Sequence, residues 1–188
     1  MKRGTSQLRQ VCQIIPGFAF KSTDLTDFGI PVVKIGSITE AGGVDLDSGQ
    51  FFPESLLEDC HAKFFMGKGD IVLAMTGEGK AGRIRDNTPC LLNQRVCMLK
   101  PLDIEDKGYL WCAVRTIDYS RVFAQVAQGV AQANISGGQI ELIEIPWPDK
   151  LQRCRIASIL SAYDDLIENN TRRIALLEQS ARLLYEEW

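Results

Sequence analysis

The chain has 188 residues, of which 45% are hydrophobic and 24% are charged, close to the averages of folded water-soluble proteins. This composition excludes a wholly disordered chain, a collagen-like fibre and a small disulfide-bonded scaffold. With 21 Lys and Arg against 24 Asp and Glu, the formal net charge is −3. Coating of nucleic acid through bulk positive charge is therefore excluded, and any contact with DNA needs a local patch.

Gln and Asn side chains interrupt both the N-terminal segment and the longest uncharged segment, residues 122–140. Lipid would not accept these amides, so we expect no signal peptide, no membrane span and a cytoplasmic location. The six cysteines contain no C-x-x-C pair, and the one histidine, His61, adjoins only Cys60. The sequence therefore predicts reduced thiols, several of them in the core, and no metal site.

Four segments have the apolar or alternating pattern of β-strands, namely residues 31–38, 70–75, 91–99 and 139–145. The second is apolar enough to be buried on both faces. Helical patterns occur in residues 53–65, 109–117 and 119–128. Strands separated irregularly by short helices predict an α+β fold, here a mixed domain rich in β-strand.

A glycine-rich loop, residues 77–82, follows the second predicted strand. It is not a P-loop, because Ala81 stands where that motif has Ser or Thr. Lys80, Arg83 and Arg85 lie within six residues of one another, which suits contact with DNA phosphates or guanine edges. A solvated hairpin is the alternative.

The composition changes sharply after residue 148. Residues 1–148 contain all 16 glycines and all 7 prolines, and residues 149–188 contain neither. This break predicts a first domain, residues 1–148, followed by one long helix, residues 149–188. Asp149, three residues before Gln152, is typical of the residue that caps a helix start.

Along this helix, residues recur at alternating spacings of four and three, which is the heptad pattern of a coiled-coil helix. We call them the apolar stripe: Ile156, Leu160, Tyr163, Ile167, Asn170, Ile174, Leu177, Ala181, Leu184 and Trp188. The first domain is too small to cover a helix of this length, so we expect the stripe to meet another helix. A helix that lies along its own domain is the alternative.

Asn170 is the polar member of the stripe and lies near its middle. In an antiparallel pair of identical helices it would lie close to the two-fold axis and would penalise slipped registers. Alternatively, residues 169–171 break the helix. Asp164 and Asp165 lie beside the stripe, where we expect solvated charges, and the sequence predicts no catalytic site.

Several short motifs follow one another in an order that resembles the DNA specificity subunit of type I restriction–modification systems. They are PGFAFKS at 16–22, GIPVVKIGSI at 29–38, GDIVLA at 69–74 with the glycine-rich loop, LNQRV at 92–96, GVAQANIS at 129–136, IPWP at 145–148 and the helical region 152–188. Each motif is weak alone, but the ordered set covers nearly the whole chain.

The resemblance implies a target recognition domain, residues 1–148, followed by a conserved spacer helix, residues 149–188. Complete subunits of this family typically carry two domains and two antiparallel helices, and each domain reads half of a split site in double-stranded DNA. This chain carries one of each, so it is either a natural half-length subunit or a fragment of a longer one. If it acts alone, we expect two copies to pair through antiparallel C-terminal helices and to read a palindromic split site.

The resemblance also implies a non-catalytic subunit. It would direct methyltransferase (modification) subunits, and sometimes a restriction subunit, to the DNA site. S-adenosylmethionine, Mg²⁺ and ATP would belong to those partners, and the chain itself would need no cofactor. The alternatives are a protein-interaction adaptor that assembles through the C-terminal helix without DNA, and a small-ligand enzyme that uses the 77–82 loop.

For contact with DNA we predict basic and polar residues of the first strand, the glycine-rich loop and the third strand. They are Lys34, Ser37, Lys80, Arg83, Arg85, Gln94 and Arg95. Gln132, Asn134 and Ser136 are expected to stabilise the loop that joins the domain to the helix.

Overall fold

A computed structural model describes residues 4–76, 79–119, 121–122 and 134–186. The described strands are β1 (Thr5–Gln7), β2 (Cys12–Pro16), β3 (Ile30–Val33), β4 (Gln50–Phe52), β5 (Phe65–Met66), β6 (Ile71–Ala74), β7 (Ala81–Arg83), β8 (Cys90–Leu92), β9 (Val96–Pro101) and β10 (Glu144–Pro146). The named helices are α1 (Lys107–Val114), α2 (Gly137–Glu141) and α3 (Lys150–Glu186).

Within the described residues, the strands form two four-stranded sheets and a two-stranded ribbon of β1 and β10. The first sheet has the order β2-β9-β6-β7 and is antiparallel throughout. The second has the order β4-β3-β8-β5, in which β3 and β8 are parallel. Strands and helices are thus mixed without a regular repeat, and the predicted α+β fold is confirmed.

Strand β6 is buried on both faces, as its sequence predicts. Because side chains alternate across a strand, its residues pack into two separate cores. Ile71 and Leu73 belong to a core that also contains Trp111 of α1. Val72 and Ala74 belong to a second core, on the side of the second sheet. The first sheet therefore lies between the helices and the second sheet.

The prediction of a single strand over residues 91–99 is wrong. Residues 93–95 separate β8 from β9 and carry the chain from the second sheet to the first. Arg95 has a positive φ of 67°, which ends regular strand geometry at that point. The apolar pattern hides the break because both strands are buried.

The strand predicted over residues 139–145 is also wrong in its first half, where the chain forms α2. Ser136 caps this helix: its hydroxyl accepts the Gln139 N–H at 3.3 Å, and the Gln139 side chain accepts the Ser136 N–H at 2.8 Å. Only the last residues continue as β10. Ser136 therefore fixes the start of α2, Asn134 forms a β-bridge with Thr76, and Gln132 lies outside the described residues.

The remaining elements agree with the predictions in part. The first predicted strand ends as β3 and is followed by a 3-10 turn, Ile35–Ser37. Residues 53–65 contain two 3-10 segments, Glu54–Leu56 and Asp59–Phe64, in place of one helix. The helix predicted over 109–117 is confirmed as α1, and most of the helix predicted over 119–128 lies outside the described residues.

Helix α3 starts where its sequence predicts. The Asp149 carboxylate accepts the Gln152 N–H at 2.9 Å, and the helix continues without interruption to Glu186. No break therefore occurs at residues 169–171. Its 37 residues extend over about 55 Å at about 1.5 Å per residue. The division into domains at residues 148 and 149 stays a prediction.

Candidate nucleic-acid interface and helix junction

Polar side chains follow the carboxyl ends of β3 and β8, the two central strands of the second sheet. These strands are parallel, so both end on the same side of the sheet. Lys34 follows β3 directly, and its ammonium group donates to the side chain of Gln50, the first residue of β4. After β8, the Asn93 N–H donates to the carbonyl of Val33 at 3.1 Å. We call this surface the polar edge: Lys34, Gln50, Gln94 and Arg95.

Main-chain hydrogen bonds hold the 93–95 turn of the polar edge. The Gln94 N–H donates to the carbonyl of Phe18 at 2.7 Å, and the carbonyl of Arg95 accepts the Met75 N–H at 2.8 Å. Gly17 lies against the turn so closely that a Cβ there would approach a turn carbonyl to 2.0 Å. The side chains of Gln94 and Arg95 are thus exposed on a backbone fixed from several sides.

The glycine-rich loop connects β6 to β7 as an antiparallel hairpin. Gly77, Gly79 and Gly82 have the letter spacing of a dinucleotide-binding loop, but that loop joins a strand to a helix, and here a strand follows. Residues 77 and 78 lie outside the described residues. Lys80 forms an ion pair with Glu40. This geometry does not favour the alternative of a small-ligand enzyme that uses the loop.

The other predicted DNA-contact residues point elsewhere. Ser37 is buried, and its hydroxyl accepts the Lys34 N–H at 3.2 Å. Arg83 and Arg85 face α3: one Nη of Arg83 lies 3.5 Å from Asp164, and Nε of Arg85 lies 4.0 Å from Glu168. Lys34, Gln94 and Arg95 lie just after the adjacent ends of β3 and β8, and Arg83 and Arg85 lie at the helix. Contact of all seven residues with DNA stays a prediction.

The prediction that Asp164 is a solvated charge is wrong. Its carboxylate is buried at the junction between the domain and α3, where it accepts the Trp111 indole N–H at 2.9 Å. Arg115 donates to the same carboxylate at 3.3 Å, and both Arg83 and Arg115 lie over the Trp111 ring, at 5.4 and 5.3 Å from its centroid. We call these four residues the Asp164 cluster. Asp165, in contrast, is exposed as predicted.

A second set of ion pairs joins the start of α3 to the domain. Arg153 forms a two-pronged pair with the buried Asp106, at 2.8 and 3.0 Å. Lys150 forms ion pairs with Asp103 and Glu105 on the turn before α1. Two-pronged guanidinium–carboxylate pairs are among the strongest charge-assisted contacts in proteins.

The apolar stripe lies on a different face of α3 from these contacts. The domain-facing residues Arg153, Ala157, Asp164 and Glu168 lie on a neighbouring face of the helix. The stripe residues are exposed in the single chain, from 37% at Ile156 to 69% at Leu177, and Asn170 is exposed as well. Trp188 lies outside the described residues. The helix therefore packs on its own domain through one face and leaves the stripe uncovered.

Three of the cysteine thiols lie in the core of the described residues. Burial raises the pKa of the Cys12, Cys90 and Cys97 thiols to about 12, which keeps them protonated at neutral pH. Three buried thiols agree with the prediction of cysteines in the core. In the described part of the chain, no cluster of His, Cys, Asp and Glu is suited to a metal ion, and no helix is long and apolar enough to span a membrane.

The family described as type I restriction modification DNA specificity domain matches residues 3–179. The chain therefore belongs to this family, in agreement with the resemblance of its motifs. The match includes the polar edge, the Asp164 cluster and most of α3.

Similar proteins include the type I restriction enzyme MjaIX specificity subunit of Methanocaldococcus jannaschii, 29% identical over 72% of this chain and 31% of that protein. The MjaVIII specificity subunit of the same organism is 26% identical over 94% of this chain and 43% of its own length. The chain thus spans less than half the length of these relatives.

Two crystal structures share the fold. One is the type I restriction–modification S subunit from M. genitalium, with a TM-score of 0.62 and 20% identity, covering 88% of this chain and 40% of that chain. The other is the HsdS subunit from Thermoanaerobacter tengcongensis, with a TM-score of 0.58 and 16% identity, covering 90% and 39%.

Proposed function

We propose that this chain works in the cytoplasm as the DNA-recognition subunit of a type I restriction–modification complex and reads one half of a split site. The observation that carries the proposal is the family match over residues 3–179. The polar edge supports it, because the exposed Gln94 and Arg95 side chains on a fixed backbone, with the half-buried Lys34 nearby in the fold, are suited to hydrogen bonds with base edges.

The proposed subunit has no catalytic role. Adenine methylation, with S-adenosylmethionine, belongs to partner methyltransferase subunits, and ATP- and Mg²⁺-dependent cleavage belongs to a restriction subunit where one is present. The chain brings these partners to the site. Its net charge of −3 is compatible with this division, because partner subunits then supply most of the contact with phosphates.

We further propose that two copies pair through the apolar stripe as antiparallel helices. The stripe is exposed in the single chain, and the chain covers only 31–43% of the curated relatives described above, so one copy corresponds to less than half of such a subunit. The midpoint of the stripe is residue 172, and about it Tyr163 is related to Ala181 and Ile167 to Leu177. About this midpoint an antiparallel copy therefore places a stripe residue opposite every stripe residue, and Asn170 lies one turn from its counterpart in the other copy.

The test is co-expression with a type I methyltransferase subunit from the same genome, followed by mapping of methylated adenines in the host DNA. We expect a palindromic split site, because two identical domains related by a two-fold axis read identical half-sites. An asymmetric split site would contradict the homodimer but not DNA recognition. No methylation beside an active full-length control subunit would contradict DNA recognition and favour the adaptor.

Variants at the polar edge sharpen this test. Arg95→Gly keeps the positive φ, which glycine adopts freely, and removes the guanidinium. We expect Arg95→Gly and Gln94→Ala to lose methylation or to relax one position of the half-site, because loss of one base contact costs about 1–3 kcal/mol. Lys100→Ala, exposed further along β9, is the matched control and should methylate the original site.

A further inference from the structure

We propose that Asp164 fixes the angle between α3 and the recognition domain and thereby sets the number of base pairs between the two half-sites. This inference rests on the proposed function. Asp164 would then determine specificity without touching DNA, as a positioning residue.

Beside the packing of Ala157 on Gly108, the charged contacts that attach α3 to the domain form two groups, which we call its two attachment points. Near its start, Arg153 binds Asp106 in a two-pronged pair. Eleven residues further, roughly 16 Å along the axis at about 1.5 Å per residue, Asp164 binds Trp111 and two guanidinium groups. One point alone would let the helix swing, whereas two points define its direction.

The second point is built to hold one geometry. The partners of Asp164 come from different parts of the chain: Arg83 lies on β7, Trp111 on α1, and Arg115 follows α1. Gly42, with a φ of 75°, gives the indole room, since a Cβ there would lie 3.1 Å from the Trp111 ring. The carboxylate is buried, so its loss leaves two cations without their partner.

The rest of the helix is a lever. Every residue from 169 to 186 is exposed, and this segment extends over roughly 27 Å at about 1.5 Å per residue. A swing of ~10° at Asp164 displaces its end by roughly 5 Å, more than the ~3.4 Å that separates successive base pairs. In a dimer joined through this lever, the swing changes the distance between the two recognition domains.

DNA makes this distance selective. Each added base pair lengthens the spacer by ~3.4 Å and turns the second half-site by about a tenth of a helical turn. Two domains held at one separation and orientation therefore accept one spacer length. Loosening the helix angle relaxes the spacer length. It leaves the bases read in each half-site unchanged, because the 93–95 turn of the polar edge is held by main-chain hydrogen bonds in which Asp164 takes no part.

The experiment maps methylated sites in host DNA for the full chain co-expressed with its methyltransferase subunit, and reads half-sites and spacer lengths together. Asp164→Asn removes the charge at nearly constant shape, and Asp164→Ala removes the acceptor as well. Asp165→Asn, at the exposed neighbour, is the matched control. Arg115→Met is a second test, since it removes one partner and keeps Asp164.

We expect the original chain and Asp165→Asn to methylate one spacer length at least about tenfold above its neighbours, comparable with the penalty for one mismatched base pair. In Asp164→Ala the neighbouring spacers should rise to within about threefold, with the same half-site bases. Asp164→Asn and Arg115→Met should lie between these limits.

An unchanged single spacer in folded Asp164→Ala and Arg115→Met would overturn the inference, and so would a broad spacer range in the original chain. Loss of all methylation in both variants while they remain folded would also overturn it, because reading and spacing would then not be separable. If the original chain methylates no split site, the proposed function itself fails.

Discussion

The two halves of α3 differ in what surrounds them. Residues 150–168 carry the ion pairs of Arg153 and Asp164 to the domain, whereas every residue from 169 to 186 is exposed. The apolar stripe runs through both halves on a neighbouring face. The difference teaches that polar contacts attach this helix to its own domain, and that its apolar residues remain available for a second helix.

The largest effect on stability is expected from Arg153→Ala, in the half of α3 that is attached to the domain (residues 150–168). It leaves Asp106, which is 6% exposed, as a buried charge without its two-pronged partner. The free energy of unfolding should fall by about 3–5 kcal/mol. Urea unfolding at fixed protein concentration measures this, and Arg155→Ala, at an exposed position, should change little. Equal stability of both variants would contradict the importance of this pair.

Ile174→Asp tests pairing through the exposed half of α3 (residues 169–186), because it places a charge in the apolar stripe. The dissociation constant of the dimer should rise at least about 100-fold, because one buried Ile contributes about 1.5–3 kcal/mol in each copy. Analytical ultracentrifugation measures it. Gln179→Asp, on the opposite side of the helix, is the control. A dimer that persists in Ile174→Asp would contradict pairing through the stripe.

A smaller effect is expected from Asn170→Leu. It should raise the stability of the helix pair by ~1–3 kcal/mol, because a buried amide is replaced by an apolar side chain, and it should loosen the register. Thermal melting and cross-linking of paired helices measure these two effects. A variant that keeps a single dimeric species and melts no higher would count against a buried Asn170.

The smallest effect concerns acid. Hydrogen bonds from Lys150 and from the Glu105 N–H hold the pKa of Asp103 below its ordinary value of 3.8. Its contribution to stability is therefore present above this value and is lost as the pH falls through the lower folded value. Asp103→Asn should make the melting temperature fall less steeply below about pH 4. Exposed Asp165→Asn should keep the original slope.

Local patterns predicted the parts of the fold that local forces decide. The heptad spacing and Asp149 predicted α3 and its start, and the apolar run at 70–75 predicted β6. The break at Arg95 was missed because two buried strands in different sheets read as one apolar run. Helix α2 was missed because residues 139–145 alternate like a strand, while Ser136 and Gln139 form a capping box.

The junction was harder to predict than the fold. Asp164 finds Trp111 more than 50 residues away, and Arg83 further still, and no spacing in one sequence records such a meeting. Arg83 and Arg85 were predicted as DNA contacts because the sequence shows basic residues close together after a glycine-rich loop. It does not show that α3 packs against them. Lys34 directly follows β3, and Gln94 and Arg95 lie in the turn after β8; their contact with DNA stays a prediction.

The 93–95 turn has a consequence for how new specificities arise. Main-chain atoms of Phe18, Val33 and Met75 hold it in place, and the side chains of Gln94 and Arg95 contribute nothing to that hold. Substitution of Gln94 therefore changes what the surface presents while this hold is kept, whereas position 95, with its φ of 67°, favours Gly or Asn over bulkier residues. Under the proposed function, a lineage changes its target sequence with least loss of stability at Gln94, and at Arg95 only through the few residues that accept this backbone conformation.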